Sequence, residues 1–399
     1  MIPRFKPDLG WPEFKALFHR NPCAVECFEK EFAEEMGQKY AISFPYGRTG
    51  LMLLLEALGL KGKEVICPAY TCVVVPHAIV LSGNRPVFVD SQASDCNMDL
   101  DLAESAIGPE TGALVSTSIF GHPVDLDRLE DMSERHPNVI IIQDCAHSFA
   151  AEWRGRPAQQ AGKAAIFGLN ISKIATSIFG GMVTTDDDVL AARLRQMRDQ
   201  RQVRAHWSKS IRRALYLLAS IAAFSPPVYG TVRWLERKRL LDRFSRYYDE
   251  ALIDMPADAL VAMTPVEARV GSAQIAKYRD MIGARRRWAA YYRESLSDVP
   301  GLQFPNTEPG ATWSHIAAFT PHRNDLLAYA QARGVQLGTI IDYNIPEMSA
   351  YRERPNPEEC WPVAARCART AVNLPLSGVF CERRGWHVVK TLRAALEAP

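Results

Sequence analysis

Between residues 39 and 186, short apolar runs alternate with longer stretches of helical period. KYAISF (39–44) reads as a strand, and GLMLLLEALGL (50–60), apolar nearly all round, reads as a buried helix. EVICPA (64–69) predicts a second strand and TCVVVPHAIVLSG (71–83) a second helix. PVFVD (86–90), ALVSTSIF (113–120), NVIIIQD (138–144), AAIFGL (164–169) and GGMVTTD (180–186) predict further strands. DLDRLEDMSERHP (125–137) has the two-faced pattern of a surface helix. Such alternation predicts an α/β fold with a mostly parallel central sheet flanked by helices. Ligands of such sheets sit at the carboxyl ends of the strands.

From residue 188 the pattern turns helical. The stretch 201–246 carries eleven cations, Arg201, Arg204, Lys209, Arg212, Arg213, Arg233, Arg237, Lys238, Arg239, Arg243 and Arg246, against two acids, Glu236 and Asp242. Inside it, ALYLLASIAAFSPPVYG (214–230) is apolar but short, and Pro226–Pro227 interrupts it, so it does not read as a membrane span. Two readings stay open. Its helices pack on the main domain or on a second subunit, or they form a basic amphipathic hairpin that touches a membrane surface or a lipid-linked substrate. Beyond 255, residues 273–296 predict a long helix, HIAAFTP (315–321) a strand and NDLLAYAQARG (324–334) a helix. The expected organisation is a large domain over 1–255, with 203–250 as a basic, partly apolar helical insertion, and a smaller α+β domain over 256–399.

Composition narrows the class. At 399 residues, 47% hydrophobic and 23% charged, the chain is that of a globular protein rather than a disordered, collagenous or polytopic membrane one. Its net charge of +2 gives no reason to expect nucleic acid as a partner. The nine cysteines include no CxxC pair and read as reduced thiols, and the N-terminus lacks an apolar run of signal-peptide length. The expected location is the cytoplasm, with any membrane association carried by 203–250. No HxxxH or carboxylate cluster suggests a metal. His122, in GHP, reads as a turn residue near the ligand cleft, and Trp288, Tyr291 and Tyr292 as core or dimer contacts.

Three features suggest chemistry. Asp144 ends an apolar strand, where ligands bind, although strands also end in Asp for turn reasons. Lys173 lies in the apolar FGLNISKIATSIFGG; a desolvated lysine loses its proton more readily and becomes a nucleophile, whereas a loop lysine is ordinarily solvated. YGRTG (46–50) opens a helix directly after a strand, and free N–H groups there, with Arg48 beside them, suit a phosphate. Neither GxxxxGK[ST] nor GxGxxG is present. A phosphate turn, then a carboxylate, then a lysine is the set that pyridoxal 5′-phosphate requires.

The order and spacing resemble fold-type-I aminotransferases, and the motifs resemble the DegT/StrS family of sugar aminotransferases. They are YGRTGLMLLLEALGLKGKEVICPAYT (46–71), GNRPVFVD (83–90), FGHPVDLDRL (120–129), QDCAHSFAAEWRGR (143–156), SKIATSIFGGMVTTDD (172–187), GVQLGTIIDYNIPEMSAY (334–351) and VNLPLS (372–377). The resemblance implies that Lys173 carries the cofactor as a Schiff base and moves the proton, and that Asp144 pairs with the pyridine nitrogen. It places His147 near the phenolic oxygen, Ala146 on a ring face, and Gly47 and Arg48 on the phosphate, with Asn170 a further candidate contact. It also implies glutamate as donor, a nucleotide- or lipid-linked keto sugar as acceptor, and a homodimer. A pyridoxamine-dependent dehydratase of the same fold would replace the lysine, which is present here. A non-catalytic regulator that binds a membrane or partner is the reading from another class. Three departures stand out: Gly168 where many members have Ser, Cys72 where an aromatic often stacks, and TPVEARVG (264–271) in place of an Asn-x-Arg segment.

Overall fold

The computed structural model describes residues 1–225, 228–231, 238, 249–352, 360–376 and 381–397. In it the expected strands are β1 (Tyr40–Phe44), β2 (Glu64–Pro68), β3 (Arg85–Val89), β4 (Thr111–Thr117) and β5 (Ile140–Asp144). A short hairpin, β6 (Glu152–Trp153) and β7 (Arg156–Pro157), precedes β8 (Ala164–Gly168) and β9 (Gly181–Thr185). The seven longer strands form one sheet in the order β1–β9–β8–β5–β4–β2–β3. β9 runs antiparallel to both of its neighbours, and the other six strands run parallel to one another.

The helix Gly47–Ala57 explains its own apolar sequence. It lies between the sheet and the helices Val74–Leu81 and Asp188–Arg201, so Leu51, Leu53, Leu54 and Leu55 are all fully buried. Each such side chain contributes about 1.5–3 kcal/mol. The opposite face is covered by the helices Ala24–Met36 and Pro265–Ile275, where Phe28, Phe32, Phe149 and Phe167 pack edge to face with centroids 5.0–6.0 Å apart. Residues 263–282, beyond 255, share this core. A separate core of Tyr292, Leu296, Ile316, Val335, Val372 and Val388 holds the small unit, built on the hairpin-like pair β10 (Ile316–Phe319) and β11 (Ala371–Leu374). The chain start joins it, because Ile2 bridges Val335 and Phe5 bridges Leu376.

Two elements differ from expectation. The run 113–120 is not one strand: β4 stops at Thr117 and Ile119–Gly121 forms a 3₁₀ turn with Phe120 at φ +56°. Buried Asn97 causes the departure by accepting the Ile119 N–H at 2.9 Å. The expected helix 273–296 is two, Pro265–Ile275 and Tyr278–Ser295. At the break Lys277 donates to the Asp8 carbonyl (2.7 Å) and pairs with buried Glu13 (2.8 Å).

Part of the basic insertion is a regular helix, Trp207–Ala223. It packs on the large unit, as the first of the two sequence readings expects, and buries Lys209 and Leu217. The remainder of the expected insertion, at 226–227, 232–237 and 239–248, lies outside the described residues.

Candidate active site

A cavity of about 330 Å³ opens at the carboxyl ends of the parallel strands. Every residue expected at the site lines it: Gly47, Arg48, Asp144, Ala146, His147, Asn170 and Lys173. The departures Cys72 and Gly168 line it as well.

The helix Gly47–Ala57 aims its N-terminus at the cavity. Its N-cap, Tyr46, is extended and supplies no side-chain cap, so first-turn N–H groups remain for a ligand. Gly47 lies close to two strands. A Cβ on it would meet the Phe167 carbonyl at 3.2 Å and Gly168 Cα at 3.3 Å, and a Cβ on Gly181 would sit 2.3 Å from Gly47 N. Only glycine at 181 lets β9 approach so closely. Gly181→Ala is expected to destabilise the fold by about 3 kcal/mol or more, because the clash is with backbone. Denaturant unfolding checks this; a loss under ~1 kcal/mol contradicts it.

Asp144 is 3% exposed at the tip of β5. One carboxylate oxygen accepts the Ala146 N–H (3.0 Å) and the other the Thr117 hydroxyl (3.3 Å), which is in turn linked to Thr71 (3.4 Å). Burial pushes its carboxyl upward, against the opposing pull of the Ala146 N–H, Lys173 and Thr117. A carboxylate so placed is poised to face a cation.

Lys173 leaves the loop that joins β8 to β9. Its N–H donates to the Asn170 carbonyl (3.0 Å), and the Asn170 side chain accepts the Ser172 N–H (3.0 Å) and hydroxyl (2.6 Å). The loop is closed by Leu169 N–H to Gly180 carbonyl and Ser177 N–H to Leu169 carbonyl, both 2.9 Å. Within it Ile178 takes φ +75°, a costly conformation for a β-branched residue, held by its N–H to Thr176 Oγ1 at 2.9 Å. Gly168 has a visible reason here: a Cβ would meet Lys173 Cε at 3.2 Å and Ala146 Cβ at 3.5 Å. A serine here would require the flexible lysine stem to give by a few tenths of an ångström.

Burial holds the Lys173 ammonium below its usual 10.5, although Cys72 and Asp144 pull it back. The neutral amine thus appears at lower pH than on a free lysine. Capture of pyridoxal phosphate by the cofactor-free protein should accelerate with pH and level off below pH 10.5. Stopped-flow absorbance checks this; a rate still climbing at that pH contradicts it.

Two histidines share the cavity. His147 accepts the Phe120 N–H on Nδ1 (3.4 Å), which leaves its proton on Nε2. Its ring lies 5.1 Å from that of His315. Burial, then Lys173, holds both well below the usual histidine value, so both are neutral at pH 7. Sequence reasoning passed over His315, which reads only as part of the strand HIAAFTP. It also passed over Arg4, Phe5 and Tyr343, all lining the cavity. Arg4 arrives with the N-terminal segment, and Tyr343 receives the Val73 N–H on its hydroxyl (3.1 Å). No sequence spacing joins these residues to 144 or 173. His122 does not line the cavity; it is buried against Trp313 and bonded to Thr307 at 2.6 Å, and burial holds its pKa down at about 3. Tyr292 is buried in the small-unit core, as expected.

The segment 264–271 opens the helix Pro265–Ile275. Thr264 and Glu267 form a capping box, and Glu267 also receives Arg213 Nε at 2.8 Å. Arg213 further bonds Asp258 (2.7 Å) and the Tyr46 hydroxyl (3.3 Å), and its guanidinium lies 4.0 Å over the Phe179 ring. The inserted helix is therefore tied to the N-cap of the phosphate-facing helix.

The donor set suits pyridoxal phosphate. Free helix N–H groups, a buried carboxylate with hydrogen-bonded oxygens and a desolvated lysine open into one cavity, and glycines stand where a Cβ would crowd it. Among the described residues there is no group of histidine, cysteine or carboxylate side chains able to hold a metal.

The chain is similar in sequence and fold to known sugar aminotransferases. A dTDP-3-amino-3,4,6-trideoxy-alpha-D-glucose transaminase of Streptomyces venezuelae is 29% identical over 377 residues, 92% of this chain and 86% of that protein. The GDP-perosamine synthase of Caulobacter vibrioides is 37% identical over 174 residues, 43% of this chain and 47% of that protein. The crystal structure of DesV from S. venezuelae superposes with a TM-score of 0.78 at 25% identity, covering 97% of this chain and 95% of that one. The model of the DegT/DnrJ/EryC1/StrS aminotransferase family matches residues 19–223 and 233–393, and the chain belongs to that pyridoxal-phosphate-dependent family.

Proposed function

We propose that this aminotransferase takes an amino group from glutamate and delivers it to a keto sugar carried on a nucleotide or a lipid, and that it works as a homodimer. The observation that carries the proposal is the meeting of Lys173, Asp144 and the uncapped N-terminus of Gly47–Ala57 in one cavity. Pyridoxal phosphate, when bound, would supply the electron sink for this chemistry. The protein's part is positioning and proton traffic. The N–H groups at Gly47 and Arg48 would hold the phosphate. Asp144 would keep a proton on the ring nitrogen, Ala146 would pack on a ring face, and His147 would offer its Nε2–H to the phenolic oxygen. Lys173 would hold the cofactor through its amine and, freed from it, would be the base placed to move a proton. Asn170 fixes the turn from which Lys173 departs.

Names of relatives support the acceptor class: the Streptomyces and Caulobacter proteins are named for nucleotide-sugar products. The test is a two-stage absorbance experiment. Protein loaded with pyridoxal phosphate is expected to lose its visible band on addition of glutamate, with 2-oxoglutarate formed in equal amount. A keto-sugar acceptor is expected to restore the band. No spectral change with glutamate refutes the donor, and no recovery with any nucleotide- or lipid-linked keto sugar refutes the acceptor class. Light scattering of the loaded protein reads the oligomeric state, and a monomer mass refutes the homodimer.

A further inference from the structure

The inserted helix Trp207–Ala223 is apolar on two sides: Leu217, with Ala214, Tyr216 and Ile221, packs on the large unit. Its inward residues include two cations. Lys209, 2% exposed, donates its ammonium to the carbonyls of Val261 (2.8 Å) and Ala262 (3.0 Å). Arg213 is held by Glu267 and Asp258. Its outward residues are large and apolar: Trp207 is 68% exposed, Ile211 49%, Leu215 60% and Leu218 36%. They recur at helical spacing and form one stripe over three turns, continued before the helix by exposed Val203. Packing on the large unit is served by the inward residues alone and leaves this outward stripe without a use.

Charge says what covers the stripe. Residues 201–225 contain five cations and no acid, and Arg204 and Arg212 stand exposed beside the apolar residues. The sequence from 226 to 248 adds six cations and two acids. A second copy seated face to face would bring this cationic strip against itself. An anionic lipid surface offers the complement to both features, apolar depth for the stripe and negative headgroups for the arginines. We propose that the helix Trp207–Ala223 lies in the plane of an anionic bilayer surface, with Trp207, Ile211, Leu215 and Leu218 in the headgroup–acyl boundary. No helix among the described residues is long and apolar enough to cross a membrane. The expected homodimer then uses another face. The helix also ends beside the cavity: Phe224 packs edge to face on Phe5, which lines it (6.3 Å). If the aminotransferase reading holds, an acceptor anchored in lipid comes within reach of the site.

The experiment is co-sedimentation of the full, cofactor-loaded chain with phosphatidylcholine vesicles and with equimolar phosphatidylcholine–phosphatidylglycerol vesicles. The expected result is binding to the anionic vesicles alone, weakened by salt. The triple variant Trp207→Ser, Ile211→Ser, Leu215→Ser should bind them about tenfold more weakly or not at all. These side chains lie outside the cavity, so the variant should keep its fold, its visible band and its response to glutamate; that readout separates failure of the surface contact from failure of the proposed reaction. The proposal is overturned if the parent ignores anionic vesicles or if the variant binds them as well as the parent. It is equally overturned if the parent shows no vesicle binding and the variant changes only its mass in solution, for the stripe then meets a second copy.

Discussion

Lys173→Ala is expected to reduce amino transfer from glutamate by about 10⁴-fold, the upper range for loss of a positioned proton-transfer group. The variant should still bind pyridoxal phosphate through the helix N-terminus and Asp144, because neither depends on the lysine side chain. Its absorbance should be that of the free aldehyde. The fold should not suffer. Burial lowers the Lys173 pKa by more than Cys72 and Asp144 raise it, so its removal relieves a desolvation cost larger than the attraction it loses. Thermal unfolding at pH 7 of the cofactor-free variant should therefore occur at or above the parent temperature. A small primary amine supplied from solution should restore part of the rate, since the space along Gly168 is vacated. Glutamate-dependent formation of 2-oxoglutarate is the measurement. Undiminished turnover would remove Lys173 from the mechanism.

Asp144→Asn ranks second. Asparagine is nearly isosteric, and its oxygen can still accept the Ala146 N–H that Asp144 accepts at 3.0 Å. What disappears is the negative charge that holds a proton on the ring nitrogen. Loss of one preorganised electrostatic group of this kind costs about 10²–10³-fold in turnover. KM for glutamate should change far less than kcat, because the loss falls on the proton-transfer stage. In the cofactor-free protein the carboxyl of Asp144 is pushed upward by burial, so the unfolded chain gives up its proton first as pH rises. Over the window from the usual 3.8 to the raised folded value, stability conferred by this site falls with pH. Asp144→Asn should flatten that acid-side slope in denaturant titrations. A variant with parent-like kcat would show that the ring nitrogen needs no charged partner.

Much of this was legible in the sequence for a physical reason. Strands buried on both faces must be short apolar runs, so β1, β2, β5, β8 and β9 fell within a residue or two of the expected positions. Lys173, Asp144 and the turn at Gly47 are conspicuous because each violates its surroundings: a cation in an apolar run, a carboxylate ending a strand, glycines opening a helix. What stayed hidden depends on partners far away in the chain. Asn97 ends β4, and Asp8 and Glu13 draw in Lys277 at the helix break, yet no local pattern announces either. His315 and Arg4 reach the cavity only because the small unit brings them there. The helix Trp207–Ala223 is apolar and basic in sequence, but which set faces inward is decided by Glu267 and Asp258, about fifty residues on.

The place of β9 also sets a timetable for synthesis. β1 lies at the sheet edge and its one neighbour is β9, with Phe44 opposite Gly181. At 5–20 residues per second, a ribosome needs about 7–27 s to travel from one to the other. Until then the leucines of Gly47–Ala57 lack the strand beside them, and Gly47 lacks the backbone of Gly181. The phosphate-facing side of the pocket is thus completed only with β9, and its far wall, with His315 and Tyr343, later still. A nascent chain stalled before residue 181 would leave the apolar face of Gly47–Ala57 without the strand that covers it.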